Sequence, residues 1–516
     1  MSPIHGPFRS ILFNGSDAET DIALLGAPDH FADLHLDEVV ASITARREAY
    51  DLTRFFHTQL RDVDTIAYRH EVFGDLDDPA LLGFIRSFAA KMRTVRSRLD
   101  NAAKADYRYD RERWFLDGAD TYCDAVSGLT RDLALAMPRS RGFLALGEYL
   151  GKYTASGGFT ALLADSQKVK ADLRGVRYRL RISGARVKVS RDDPEADYSA
   201  DVLHTFEKFK QGVGKEYQFR LFSWGSMNHV EAAILDLVAR LHPDVFASLD
   251  GYYDRHRGYL DEAIDRFDRE VQFYVAYLEY IERFKSAGLA FCYPEVADRS
   301  KEIHGRAVFD LALAERLVRE QEPVVVNDFC LEEPERIIVV TGPNQGGKTT
   351  FARTVGQLHH LASIGCPVPG TEARLFLVDR IFAHFERQED LQNLSGKLED
   401  ELRRIHRIFE RATPDSLLIM NESFGSTTLS DGLFLSRRVV EQMIRLDMIC
   451  VSVTFLDELA SLGETTVSMV STVDPKDPAV RTFKIVRRPA DGLAYAWAIA
   501  EKHRLTFESV KERIMR

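Results

Sequence analysis

The chain has 516 residues, 45% hydrophobic and 28% charged, with a net charge of −11; at about 150 residues per domain, three or four folding units are expected. That balance excludes a disordered or collagenous chain, and no run reaches the ~18 uncharged apolar residues of a spanning helix. Five widely spaced cysteines without a C-x-x-C pair exclude a disulfide framework, and the opening MSPIHGPFRS shows no secretory signal, so a cytoplasmic setting without membrane association is expected.

Residues 1–40 carry little periodic signal and are read as an irregular lead-in. From about Val40 to Leu163 the pattern is helical; Ala80 to Phe88 repeats apolar residues at steps of three and four, and Gly157-Gly158 marks a break. Val176 to Ile182 then alternates apolar residues with Arg177, Arg179 and Arg181. Ser183-Gly184 supplies a turn and Val187-Lys188-Val189 the returning strand, which predicts a β-hairpin. Helical periodicity resumes near Met227 and includes a stripe through Ile264, Phe267, Val271, Tyr274, Leu278, Ile281 and Phe284, read as core. Beyond Pro323, apolar strands at 337–340, 417–420 and 449–454 alternate with helices at 349–364 and 397–412. Such alternation predicts a buried, largely parallel sheet covered on both faces. His359-His360 falls inside a helix as a surface or hydrogen-bonded pair, Cys366 reads as a buried loop thiol, and no His/Cys spacing suggests zinc.

Gly342-Pro343-Asn344-Gln345-Gly346-Gly347-Lys348-Thr349-Thr350 follows a predicted strand, precedes a helix and fits G-x-x-x-x-G-K-S/T. Glycines let the backbone fold back so that N–H groups meet phosphate oxygens, and the helix beginning near Thr349 turns its positive end to the same anion. Lys348 supplies a cation for the terminal phosphates and Thr349 a ligand for Mg²⁺, so ATP and Mg²⁺ are the expected cofactors. A residue at the end of a neighbouring strand should hold the metal and another orient the attacking water. The run Leu417 to Ser423 places Asn421 at the metal position, where aspartate is usual, and Glu422 beside it to polarise water. An amide oxygen carries no negative charge, so weak Mg²⁺ binding and slow hydrolysis are expected.

TGPNQGGKTT, Thr341 to Thr350, resembles the nucleotide loop of the MutS DNA mismatch-repair ATPases, which reads TGPN-x-GGK-S/T-T. Val326-Asn327-Asp328, Ile364 to Pro369, Asp379-Arg380-Ile381-Phe382 and the segment from Asn421-Glu422 to Asp431-Gly432 resemble further elements of that family, together covering about the last 190 residues. Upstream, Arg61 to Leu76 looks like the start of a MutS core, and the hairpin falls where the family inserts its DNA clamp.

The resemblance implies an α + α/β fold: a helical core and lever over about residues 41–320, a small β clamp-like insertion at about 166–222, and a P-loop, ABC-type ATPase and dimerisation domain with a parallel sheet over 321–516. It also implies a homodimer in which each ATP is sandwiched by a partner loop. The matching loop, Glu389 to Lys397, contains Leu394-Ser395-Gly396, similar to the ABC signature, which assigns Ser395 and Gly396 to γ-phosphate contact in trans. The local alternative is that Ser395 N-caps the helix at Lys397. Three departures stand out. Asn421 replaces the family's aspartate, and Thr454-Phe455 replaces Thr-His, removing a polar γ-phosphate sensor. No stretch corresponds to the family's N-terminal mismatch-reading domain or to an appended nuclease, so mismatch recognition is not expected to carry over. Val324 stands where relatives offer a stacking aromatic, which leaves adenine recognition unassigned.

Between Ser166 and Arg191 nine basic residues face only Asp172, a net charge of +8 in an acidic chain. Arg177, Arg179 and Arg181 share a strand face at about 6.5 Å intervals, suited to phosphates along a DNA backbone, with Arg186 and Lys188 on the return; the competing reading is a solubilising strand face. The expected function is an ATP-driven, DNA-binding clamp acting on DNA backbone or branched structure, with a role in repair or recombination. Its rival is a nucleotide-gated scaffold that binds ATP with little hydrolysis and no DNA. A small-molecule kinase would need an acceptor pocket that the sequence does not indicate.

Overall fold

The computed structural model describes residues 8–15, 26–183, 186–192, 227, 229–386, 396–477, 480–490, 507 and 511. They fall into two compact units that interleave along the chain. One comprises residues 1–8, 78–138 and 144–268, the other 9–77, 139–143 and 269–516.

Helices α1 (Leu36–Thr44), α2 (Thr53–His57) and α3 (Val63–Leu76) come first, followed by α4 (Pro79–Lys104), α5 (Arg108–Ala136), α6 (Arg141–Thr154) and α7 (Gly157–Gly175). The helix starts are chemically marked. The Asp62 carboxylate accepts from Thr65 N at 2.7 Å. Asp78 accepts from Ala80 N with Pro79 at the first helical position, where a missing N–H loses nothing. Ser156 caps α7, so the break expected at Gly157-Gly158 is a helix start. In the first unit, α4 packs Leu81, Ile85, Phe88, Met92 and Val95 inward, a repeat of fours and threes that lays one stripe along the helix.

The hairpin forms as expected, from β1 (Tyr178–Ser183) and β2 (Arg186–Arg191), antiparallel, with Arg181 opposite Lys188 and Ser183 opposite Arg186. Val176 and Val189 pack against Val238, Ala239 and Phe246 of α8 (His229–Leu241) and α9 (Pro243–His256). One face of the ribbon is thereby held by apolar contact while the arginine face stays outside. Helix α10 (Glu262–Ser286) buries Ile264, Phe267, Val271, Tyr274, Leu278, Ile281 and Phe284, the stripe read as core.

Among the described residues the second unit contains three sheets. Strands β3 (Phe291–Cys292) and β8 (Val368–Pro369) form a pair. A second sheet has the order β4 (Glu295–Ala297), β9 (Glu372–Phe376), β5 (Ile303–Val308), β6 (Asn327–Leu331). The third is six-stranded: β10 (Arg380–Phe385), β11 (Ser416–Asn421), β12 (Ile449–Val453), β7 (Ile337–Thr341), β13 (Thr466–Val473), β14 (Arg481–Arg487). All its neighbours are parallel except β13 and β14. The parallel core matches expectation; β13, the antiparallel β14 and the second sheet were not foreseen. Helices α11 (Leu311–Glu320), α12 (Lys348–Ser363), α13 (Lys397–Arg411) and α14 (Leu429–Leu446) complete the unit.

Helix α12 is buried almost all round. Its far end is fixed by Arg69, a fully buried guanidinium that donates to Leu12 O at 3.1 Å and Ile364 O at 2.7 Å between the rings of Phe13 and Phe273. Gly365, with φ of +70°, lets the chain turn there: a Cβ would lie 2.9 Å from Arg69 Cβ. The surface alternative for His359-His360 is overturned, because both rings lie in this core and α12 has no solvent face at that turn. His359 Nδ1 bonds Val355 O at 2.8 Å, and His360 Nε2 bonds Phe56 O at 2.8 Å while its Nδ1 meets His30 Nε2 at 3.3 Å. Cys366 is a buried loop thiol, as expected. No helix among the described residues is long and apolar enough to cross a membrane.

Burial lowers the pKa of His359 and His360 to about 4, against 6.5 in an unfolded chain. Between pH 6.5 and 4 the unfolded state therefore binds more protons, and stability falls as pH falls through that window. Each ring should remove about 2 kcal/mol of stability at pH 5. His359→Leu, whose ring Nε2 has no partner to lose, should flatten the decline in urea midpoint between pH 7.5 and 5. Equal slopes in parent and variant would refute this account.

Candidate functional site

Strand β7 ends at Thr341, and the next six residues turn back before α12 begins at Lys348. The turn needs positive φ at Gly342 (+110°), Gln345 (+59°) and Gly347 (+89°). Ser471, on β13 alongside, fixes its shape: a Cβ on Gly342 would lie 2.8 Å from Ser471 O, and one on Gly346 would overlap Ser471 Oγ. That hydroxyl donates to Gly346 O at 2.7 Å. Arg481 Nε, at the start of β14, donates to Asn344 O at 3.1 Å.

The loop encloses a buried cation. Lys348 is 4% exposed, and its Nζ donates to Gly342 O at 2.9 Å and Pro343 O at 3.1 Å. The face of Phe455 lies 4.2 Å from the same atom. Lys348 makes no ion pair among the described residues. Burial lowers its pKa, nearby Glu422 works against that, and Arg481 adds to it. An ammonium coordinated by neutral carbonyls and a ring is left with unspent charge, so the pocket favours an anion.

Asn421 closes β11, and its Oδ1 accepts from Thr349 Oγ1 at 2.8 Å. Two oxygen ligands at right angles around Mg²⁺, each about 2.1 Å from it, would be about 3 Å apart, so this pair has suitable spacing for a metal although both donors are neutral. Glu422 follows with φ +52°, its N–H bonded to Val453 O at 2.9 Å. The predicted residues Gly342 to Thr350, Asn421 and Glu422 thus converge at the C-terminal edge of the central sheet, where open α/β sheets present ligand sites.

Beside them opens a cavity of about 690 Å³ lined by the loop, Glu422, Phe309, Val325 and Phe483. Phe483 was missed by sequence reasoning. It has a φ of +58° and a half-exposed ring. Asn327 holds its backbone, donating through Nδ2 to Phe483 O at 3.1 Å and accepting from Ile485 N at 2.8 Å. An aromatic in an edge strand carries no signal of its own; the pairing with Asn327, 156 residues away, supplies it. Gly396, which has no side chain, is the N-cap residue of α13, and no side-chain capping bond is made there. Ser395 itself lies outside the described residues, as do 387–394 of the same loop.

In the first unit Arg177, Arg179, Arg181 and Lys188 are all exposed. Cross-strand register puts Arg179, Arg181 and Lys188 on one ribbon face, with the side chain of Arg186 outside the described ones. Arg181 directly opposite Lys188 is a like-charge pair, unfavourable unless an anion intervenes. Two arginines are partly engaged: Arg177 donates to Arg174 O at 2.8 Å, and Arg179 pairs with Asp192 at 3.2 Å, one residue past the basic segment.

A mixed α and α/β chain with a glycine-rich turn around a buried lysine describes a protein built to hold an anionic ligand. The family model for MutS domain V matches residues 338–506, so that stretch of the chain is similar to this domain. It is 26% identical over 348 residues to the DNA mismatch repair protein MutS of Chlorobium phaeovibrioides, covering 64% of this chain and 37% of that protein. To the DNA mismatch repair protein MutS of Chloroflexus aurantiacus it is 35% identical over 155 residues, 28% of this chain and 16% of that protein. The chain therefore spans little more than a third of the first relative's length and less of the second.

Gly346→Ala should destabilise the protein by about 1–3 kcal/mol, the usual range for overpacking. Adding Ser471→Ala, which removes the overlapping hydroxyl, should recover part of that loss. A double-mutant cycle in urea measures the coupling; strict additivity would show that Ser471 does not shape the loop.

Proposed function

We propose that the protein is an ATP-dependent DNA-binding protein of the MutS type. In this reading residues 321–516 form a P-loop, ABC-type ATPase and dimerisation domain, and about 41–320 a core and lever with a clamp-like insertion at about 166–222. The observation that carries it is the buried Lys348 ammonium, held among the described residues by loop carbonyls and the Phe455 ring at the N-terminus of α12. A triphosphate would draw that ammonium off the carbonyls and meet the loop and helix N–H groups together. The purine would lie against Phe483 in the adjoining cavity. Thr349 and Asn421 would hold Mg²⁺, which when bound neutralises phosphate charge. Glu422 would orient the attacking water. Ser395 and Gly396 would reach the γ-phosphate of the partner subunit in a homodimer, and the cytoplasm is the expected setting.

Lys348→Ala should abolish ATP binding, while Glu422→Gln should bind ATP and lose turnover. Asn421→Asp should tighten Mg²⁺ and raise the rate, because it restores a negative charge. Binding of labelled ATP and steady-state hydrolysis across a magnesium series check all three. Unchanged hydrolysis by Glu422→Gln would remove Glu422 from its role.

The basic ribbon face would grip DNA backbone, in duplex or branched form, through phosphate contacts without sequence preference. Affinity for labelled duplex and branched DNA should then fall steeply with salt, and Arg177→Glu, Arg179→Glu and Arg181→Glu together should abolish it. The second reading, a nucleotide-gated scaffold without DNA, is favoured by the neutral Asn421 and the apolar Phe455. Absence of DNA binding at low salt would select it.

A further inference from the structure

The turn carrying Glu422 is strained twice. Glu422 has φ +52° and Phe424 φ +62°, a conformation that a bulky aromatic avoids. Such a turn persists only where its surroundings over-determine it, and here three elements do so. The N–H of Glu422 is held by Val453 O on β12 at 2.9 Å. The Phe424 ring is buried in the core beneath α13 and α14. On α14, Gly432 permits close approach to the Phe424 carbonyl, where a Cβ would lie 3.2 Å away.

The remaining tie is a side chain. Glu401 on α13 accepts the Phe424 N–H at 2.8 Å through Oε1, and the same oxygen meets His384 Nε2 on β10 at 3.4 Å. His384 is 1% and Glu401 9% exposed, so water competes little for this oxygen. Burial alone would raise the Glu401 carboxyl, yet hydrogen bonds from His384 and the Phe424 amide hold it below the ordinary value, leaving it ionised. An ionised acceptor makes His384 the donor through Nε2, with Nδ1 buried and unpartnered.

We propose that Glu401, backed by His384, is a positioning residue for Glu422: by clamping the Phe424 amide it locks the 422–424 turn in the left-handed form that presents the Glu422 carboxylate to the Lys348 loop. This rests on Glu422 acting in ATP hydrolysis. It links α13, whose N-terminal lead is the loop assigned to the partner's nucleotide, to the water-orienting carboxylate of its own subunit. A shift of α13 along its axis would release the amide and let the turn relax.

The test uses the full chain with Glu401→Ala, Glu401→Leu, which fills the space without an acceptor, and Glu401→Gln, whose single amide oxygen can still accept from both partners. The first two should lower kcat about tenfold or more, the weight of one charge-assisted hydrogen bond, while ATP affinity stays within about twofold because the phosphate loop is untouched. Glu401→Gln should recover most of the turnover. Hydrogen–deuterium exchange over residues 421–425 should accelerate about tenfold in Glu401→Ala and Glu401→Leu and stay near the parent rate in Glu401→Gln. Faster exchange with unchanged kcat would overturn the positioning role. So would ATP affinity and kcat collapsing together, or rapid exchange of these amides in the unaltered protein, which needs no variant to fold. A parent that binds no ATP would refute the function proposed above, while the exchange comparison would still decide whether Glu401 holds the turn.

Discussion

A buried ammonium with no ion pair among the described residues sets the terms for the rest of the site. Lys348 leaves water on entering α12 and gains in return two carbonyl oxygens and an aromatic face. Carbonyl dipoles and a ring quadrupole replace only part of a hydration shell. The fold tolerates the deficit because α12 is anchored elsewhere: Arg69 ties its far end to Leu12 and Ile364, and Ser471 ties the loop before it. Local electrostatic frustration is thus balanced by packing around it, a distribution typical of sites that gain their last partner from a ligand.

Strand order converts this local feature into a constellation. Because β7 lies between β12 and β13, with β11 next along, the parallel strands release their C-terminal loops at one edge. The loop of β7 meets Asn421 and Glu422 after β11, Phe455 after β12 and Ser471 on β13. Residues 72 to 125 apart in sequence become neighbours through sheet pairing alone. The antiparallel β14 then brings Arg481 against the loop and Phe483 across from the other side, where Asn327 of the second sheet fastens it.

Much of this was legible in sequence because the relevant signals are local. The loop Gly342 to Thr350 announces its own geometry, since positive φ at Gly342 and Gly347 requires glycine. The hairpin announces itself by period-two alternation, and the α10 stripe by steps of three and four. Where the physics is non-local the sequence is silent. Phe483, Ser471 and Glu401 look ordinary in their own segments, and each acquires meaning only from a partner on another element. The membership of residues 9–77 in the unit with 269–516 is of the same kind, expressed through Arg69 and the His30–His360 contact. His359 and His360 escaped placement because a buried helix leaves no amphipathic stripe to orient them.

The two substitutions that distinguish the chain from the MutS pattern it resembles act in the same electrostatic sense. Asn421 in place of aspartate removes one negative charge beside Thr349, so the group around the loop, with Lys348 and Arg481 positive against Glu422, is more cationic than its aspartate counterpart. That change strengthens attraction for a polyphosphate and weakens attraction for the metal accompanying it. Phe455 pushes the same way, since its ring stabilises the ammonium without neutralising it, whereas a protonatable side chain there would add a competing cation. In the function proposed above, holding an anion firmly while assembling the metal reluctantly would favour a long-lived bound state over rapid turnover. For a protein whose nucleotide would gate a grip on a second ligand, dwell time in the bound state is the quantity these residues adjust.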